Sequence, residues 1–134
     1  MSQYKKDYEF GKLKEKELKK IVEDFFNDEL IESNKRFDKY DYKGKKYLYE
    51  LKSRNCNYNK YETTLIPSNK IFDKYHIFLF NFTDGLYYIK YRERKFRDFK
   101  KEMYVRAFRT GKKDVPAEYI FIPIEKLKKI ELSE

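Results

Sequence analysis

The sequence predicts an α/β domain in which a central mixed sheet is flanked by helices. Three observations carry this. An amphipathic stretch opens the chain, an alternating hairpin follows it, and the continuous apolar run Ile77-Phe78-Leu79-Phe80 marks a strand buried on both faces. Helix, hairpin, helix, strand and then further strands is the order that results.

Each element has its own signal. Residues 9 to 31 place Leu18, Ile21, Val22, Phe25 and Phe26 on one helical stripe. Residues 37 to 54 read as a hairpin, with Lys43-Gly44-Lys45-Lys46 as its loop. Asn55 to Lys60 is polar and loop-like. Pro67 suits a first helical position, predicting a short helix that carries Ile71 and Phe72. His76 to Phe82 is the buried strand, and Thr83-Asp84-Gly85 turns it into Leu86 to Tyr91. Met103 to Phe108 and Glu118 to Ile122 are predicted strands around a basic loop that contains Gly111. Pro123 and Glu125 open a last short helix.

The hairpin carries the chemistry. Tyr47, Tyr49 and Leu51 alternate onto one face, and Leu48, Glu50 and Lys52 onto the other. Tyr40 and Tyr42 form the apolar face of the preceding strand, which leaves Asp41 opposite them. If Tyr42 pairs with Tyr47, Asp41 is diagonal to Glu50 on one face, at roughly 7–8 Å. One cation can bridge two carboxylates at that separation. A three-residue loop would instead bring Asp38 opposite Glu50, so Asp38 is the alternate ligand. Two carboxylates hold a divalent metal, and a neighbouring lysine positions or deprotonates water and steadies charge on a phosphate. That set is what hydrolysis of a phosphodiester needs. The other reading of Glu50 and Lys52 is a salt pair on a solvated sheet face.

Asp41, the nine-residue step to Glu50, and Glu50-Leu51-Lys52 resemble the PD-(D/E)XK nuclease superfamily. Tyr40-Asp41-Tyr42, Glu50-Leu51-Lys52-Ser53-Arg54-Asn55, Thr63-Thr64-Leu65-Ile66 and Phe80-Asn81-Phe82-Thr83-Asp84-Gly85-Leu86 are also similar to a small group of uncharacterised nuclease-like proteins of large DNA viruses. The resemblance spans about residues 8 to 92, and Tyr40 stands where the superfamily name has proline. It implies a restriction-endonuclease-like core in one domain over residues 1 to 134. It also implies a Mg²⁺- or Mn²⁺-dependent deoxyribonuclease, an endonuclease acting in repair, recombination, restriction or resolution of branched DNA. Asp41, Glu50 and the Leu51 carbonyl would be the metal ligands, and Lys52 the catalytic lysine that positions or deprotonates the water. Glu15, after Phe10-Gly11, resembles the helical acidic residue that many members place near the metal. An exposed helix charge is its other reading. Many small nucleases of this type dimerise, so a homodimer is a further expectation.

Composition narrows the partners. Net charge is +9, with 41% charged residues, which favours a polyanion such as DNA. The chain is rich in Lys, Asn, Tyr, Phe and Ile, and its alanines are Ala107 and Ala117. AT-rich codons encode that set, which offers a genomic explanation for part of the lysine excess. No long apolar run or signal-peptide start is present, so neither a membrane span nor secretion is expected. Cys56 is alone, which excludes an internal disulfide and suits a reducing intracellular compartment: cytoplasm, nucleus or viral factory. A lone cysteine and a lone histidine, His76, exclude a zinc site.

DNA-contact candidates are Arg54, Asn55, Lys70, Arg94, Lys95, Arg97 and Arg106. The run from Arg92 to Lys101 interleaves basic residues with Phe96 and Phe99. Its phenylalanines read best as packed inward, and its basic side chains as a path for phosphates. The alternative to an enzyme is a catalytically inactive module that keeps the scaffold and binds nucleic acid. A protein-interaction domain with an acidic partner is the weaker third class.

Overall fold

The computed structural model describes residues 15–33, 40–70, 75–105 and 116–131, with Glu15 and Lys70 described by their backbone only. Its first element is α1, Glu15–Phe26. Leu18, Ile21 and Val22 recur at helical spacing and are all buried. Burying each contributes about 1.5–3 kcal/mol, so packing rather than helix propensity holds α1 in place.

The helix was expected to run to residue 31 and stops at Phe26. Asn27 adopts φ 50°, a left-handed conformation that asparagine tolerates. The Asp28 N–H then donates to the Glu23 carbonyl at 3.1 Å, the six-to-one bond of a Schellman C-cap. Glu23 also accepts the Leu30 N–H through Oε2 at 2.9 Å. The chain so redirected enters β1, Ile31–Glu32, where the sequence pattern had suggested more helix.

A six-stranded sheet follows, in the order β1-β2-β3-β5-β6-β9. Its strands are β2 (Tyr42–Lys43), β3 (Leu48–Ser53), β5 (His76–Phe82), β6 (Gly85–Lys90) and β9 (Lys128–Lys129), beside β1. β3 and β5 are parallel, and the other neighbours antiparallel, so the sheet is mixed as expected. β5 is the central strand and every one of its residues is buried. Ile77 and Leu79 pack toward α1 with Tyr42, Tyr49, Leu86 and Ile130. Phe78, Phe80 and Phe82 pack on the opposite side with Ile66, Ile120 and Ile122. Two covered faces explain why the run is continuously apolar.

What covers the second face corrects the expected architecture. Among the described residues it is chiefly a three-stranded antiparallel sheet, β4-β8-β7, with Phe96 and Phe99 packed beside it. β4 is Thr63–Pro67, β7 is Lys100–Tyr104 and β8 is Ala117–Pro123. Pro67 ends β4 instead of opening a helix, and a 3-10 turn, Ser68–Lys70, follows it. Thr63-Thr64-Leu65-Ile66 is β-branched and alternating, and Thr64 and Ile66 are its buried pair. The predicted helical residues Ile71 and Phe72 lie outside the described residues. Among the described residues the fold is therefore mixed α/β with two sheets, mostly strand, with one longer helix, α1, and the short α2, Glu93–Arg97. Phe96 and Phe99 are buried, as the inward reading of the basic run expected. The strand expected from Met103 to Phe108 runs instead from Lys100 to Tyr104, and residues 106 to 108 lie outside the described residues. A 3-10 turn, Ile124–Lys126, stands where the last helix was predicted.

Candidate active site on the β2–β3 hairpin

The hairpin forms with its register moved by two residues. Tyr42 pairs with Tyr49 and Lys43 with Leu48, whereas Tyr42 was expected to face Tyr47. The cause is a tertiary contact. Asp28, 5% exposed, reaches into the loop and accepts the Lys45 N–H at 2.8 Å, the Lys46 N–H at 3.2 Å and the Tyr49 hydroxyl at 3.0 Å. Gly44 lies against that carboxylate so closely that a Cβ there would collide with it. Burial pushes the Asp28 carboxyl up, but these donors outweigh it and hold the pKa below the ordinary carboxylate value. Burial, reinforced by the same contact, pushes the Tyr49 phenol far up. A two-residue slip preserves side-chain parity, so Tyr49 and Leu51 still pack toward α1.

Glu50 and Lys52 occupy the other face of β3. Their partners on β5 are Phe78 and Phe80, which belong to the layer between the two sheets. Glu50 is 4% exposed, and its Oε1 is 3.2 Å from the Lys52 ammonium. The Lys52 side chain is 23% exposed, so the pair runs from the interior to the surface and is not the solvated pair that sequence alone allowed.

Asp41 departs from the expected diagonal. Its N–H donates to the Tyr49 carbonyl at 2.8 Å, although Tyr49 already has Tyr42 as ladder partner. Two residues thus oppose one, the arrangement of a β-bulge, which re-aims a side chain. The Asp41 carboxylate turns onto the β3 backbone, where Oδ2 accepts the Leu51 N–H at 2.7 Å. The Leu51 carbonyl points to this same edge, because both polar groups of a strand residue face one neighbour. Asp41 therefore sits at the peptide that joins Glu50 to Lys52. Its backbone is held from the other side by the Ser33 N–H, which donates to its carbonyl at 2.8 Å.

The remaining candidates scatter. Asp38 and Arg106 lie outside the described residues, as do the side chains of Glu15, at the start of α1, and Lys70. Arg54 is half-buried and bridges the sheets: Nε donates to Thr64 Oγ1 at 3.1 Å and Nη2 to the Leu65 carbonyl at 2.7 Å. Its guanidinium also lies over the Phe80 ring at 5.6 Å. Burial lowers its pKa, yet arginine stays charged at any ordinary pH. Asn55 is exposed in the bend after β3. Arg94 and Arg97 are exposed on α2, and Lys95 is part-buried on the same helix. Sequence reasoning missed Asp28, whose signal exists only in the folded chain.

Among the described residues no group of three His, Cys, Asp or Glu side chains could hold a metal, and no helix is long and apolar enough to cross a membrane. No protein-family model, curated protein or solved structure matches the chain.

Proposed function

We propose that this protein is a divalent-metal-dependent nuclease that hydrolyses phosphodiester bonds in DNA, on a restriction-endonuclease-like core. The observation that supports the reading is that Asp41 accepts the Leu51 N–H at the β2 edge of β3, while the residues on either side of Leu51, Glu50 and Lys52, form an ion pair on one face of the same strand. A mixed sheet with a hairpin strand beside a parallel β3–β5 pair is compatible with such a core.

The donor set fits a hard cation. Asp41 and Glu50 are carboxylates, and Leu51 adds a carbonyl oxygen at the same edge. Mg²⁺ is commonly held by one or two carboxylates with retained waters, so a third acidic side chain is not required. When bound, Mg²⁺ or Mn²⁺ supplies charge neutralisation on the phosphoryl oxygens and a more acidic water. The chain's own residues do the rest. The bulge fixes Asp41 against a backbone amide, so its carboxylate is oriented before substrate arrives. Burial keeps Glu50 oriented by Lys52. The Lys52 ammonium, at the surface end of the pair, is within reach of a phosphate oxygen or an attacking water. The net charge of +9 favours a polyanionic substrate.

One observation favours the second reading, a catalytically inactive nucleic-acid-binding module. The Glu50–Lys52 ion pair and the Asp41–Leu51 bond each stabilise the hairpin without any metal. The deciding experiment incubates purified protein with linear, single-stranded, nicked and branched DNA, with Mg²⁺, Mn²⁺ or chelator. A nuclease cuts at least one substrate with metal and none with chelator. Binding without cutting under every condition selects the inactive module.

A further inference from the structure

Away from the hairpin, five cationic residues from different parts of the chain meet around one small cavity. Lys90 ends β6, Arg92 precedes α2, Lys95 lies within it, Lys126 ends the second 3-10 turn and Lys128 opens β9. With Tyr88 and Ile89 they line a cavity of about 100 Å³ to which no described acidic residue contributes. β9 pairs with Tyr87 and Tyr88, and among the described residues no strand continues along that edge of β6 to Ile89 and Lys90, beside this cavity.

The cluster is held in place by its surroundings. The Lys90 ammonium donates to the Tyr47 hydroxyl at 3.2 Å and lies 4.9 Å from that ring's centre. Buried Phe96, next to Lys95, anchors α2 in the layer between the sheets. Like charges gathered this way repel one another, and a bound anion removes that cost. Burial, then Lys126, Lys128 and Arg92 in that order, pushes the Lys95 pKa down, as expected where cations crowd without a counter-charge.

We propose that this pocket is a binding site for a phosphate group, with Arg92, Lys95, Lys126 and Lys128 as its ligands. Arginine offers a paired N–H fork to phosphate, and the lysines act as point charges around it. The cavity is well below the roughly 300–1,000 Å³ of sites that enclose whole small molecules, so it takes the phosphate and leaves the rest of the ligand outside. The proposal does not depend on the Asp41–Glu50 site. A phosphate of this kind is supplied either by a nucleic-acid strand or by a free polyphosphate.

The test uses inorganic pyrophosphate as probe, with thermal unfolding and calorimetric titration of the full chain. Pyrophosphate should raise Tm beyond what sodium chloride at equal ionic strength achieves. In Lys126→Ala/Lys128→Ala, both exposed positions, its dissociation constant should rise by about tenfold or more. Arg92→Ala should give a comparable loss, and the charge-matched control Lys60→Ala/Lys100→Ala should not. A short DNA duplex that displaces pyrophosphate identifies nucleic acid as the source, and failure to displace it identifies a free polyphosphate. Equal pyrophosphate affinity in wild type and both pocket variants, or a Tm rise no larger than the salt control, would overturn the proposal.

Discussion

Replacing Asp28 with alanine removes a side chain that ties the end of α1 to the loop of the β2–β3 hairpin. Tyr49 is 0% exposed, so its hydroxyl would lose its acceptor where water cannot replace it. Leaving such a group unsatisfied costs about 1–3 kcal/mol. The Lys45 and Lys46 amides belong to exposed residues and can turn to water, so their loss adds about 1 kcal/mol in total. The expected destabilisation is roughly 2–4 kcal/mol, which for a chain of this size lowers Tm on the order of 10 °C. Thermal and urea unfolding measure it. Tyr49→Phe should cost less, about 0.5–1.5 kcal/mol, and the double variant should cost less than the sum. The carboxylate also sets a pH dependence. Its folded pKa lies below the ordinary 3.8, so its stabilisation is fully present above that value and disappears as pH falls through the folded pKa. Asp28→Asn should therefore show a flatter loss of stability below about pH 4 than wild type. An Asp28→Ala protein that melts within a degree of wild type, or an unchanged acid limb in Asp28→Asn, would refute the clasp as the origin of the hairpin register.

Other consequences can be checked alongside. Gly44→Ala should destabilise by about 1–3 kcal/mol, because the new methyl displaces the Asp28 carboxylate from the loop amides; urea unfolding reports it. Arg54→Ala removes the donors that join β3 to Thr64 and the Leu65 carbonyl, with an expected loss of about 2–3 kcal/mol, while Arg54→Lys recovers only part because it lacks the planar fork. Lys52→Ala should abolish cleavage while DNA affinity stays within about twofold, since binding is spread over many phosphate contacts. Wild-type cutting rates in that variant would assign the activity elsewhere. Lys95→Ala should weaken DNA binding and flatten its salt dependence by about one unit of slope, read from affinity against salt concentration.

Much of the local structure was legible in residue pattern. The buried central strand was legible because an apolar run as short and continuous as Ile77 to Phe80, closed by the Thr83-Asp84-Gly85 turn, suits a strand covered on both faces. The two-residue turn at Thr83-Asp84 was legible from its residue types, and Phe82 does pair with Gly85 across it. Parity on β3 survived the register error, since the loop slipped by an even number of residues. Pro67 misled because a proline opening a helix and one closing an edge of a strand present the same local signal. The helix was read too far because Asn27, which ends it, is not distinctive until its positive φ is seen.

What the sequence determined by itself was the alternation of side chains on each strand, the amphipathic stripe of α1 and the excess of positive charge, all of which are local or additive properties. It also set Glu50 and Lys52 on one face, because two residues apart on a strand must share one. Only the tertiary structure decided what covers each face. A second sheet lies over Phe78 and Phe80, although a helix would satisfy the same apolar surface. It also decided that Asp28 sets the hairpin register, that a bulge turns Asp41 onto the Leu51 amide, and that Arg92, Lys95, Lys126 and Lys128 share one pocket. The Asp28 clasp and the pocket join separate elements of the chain, and the bulge sits on a hairpin whose register that clasp sets. Their formation depends on closing long loops around a packed core, which no short stretch of sequence records.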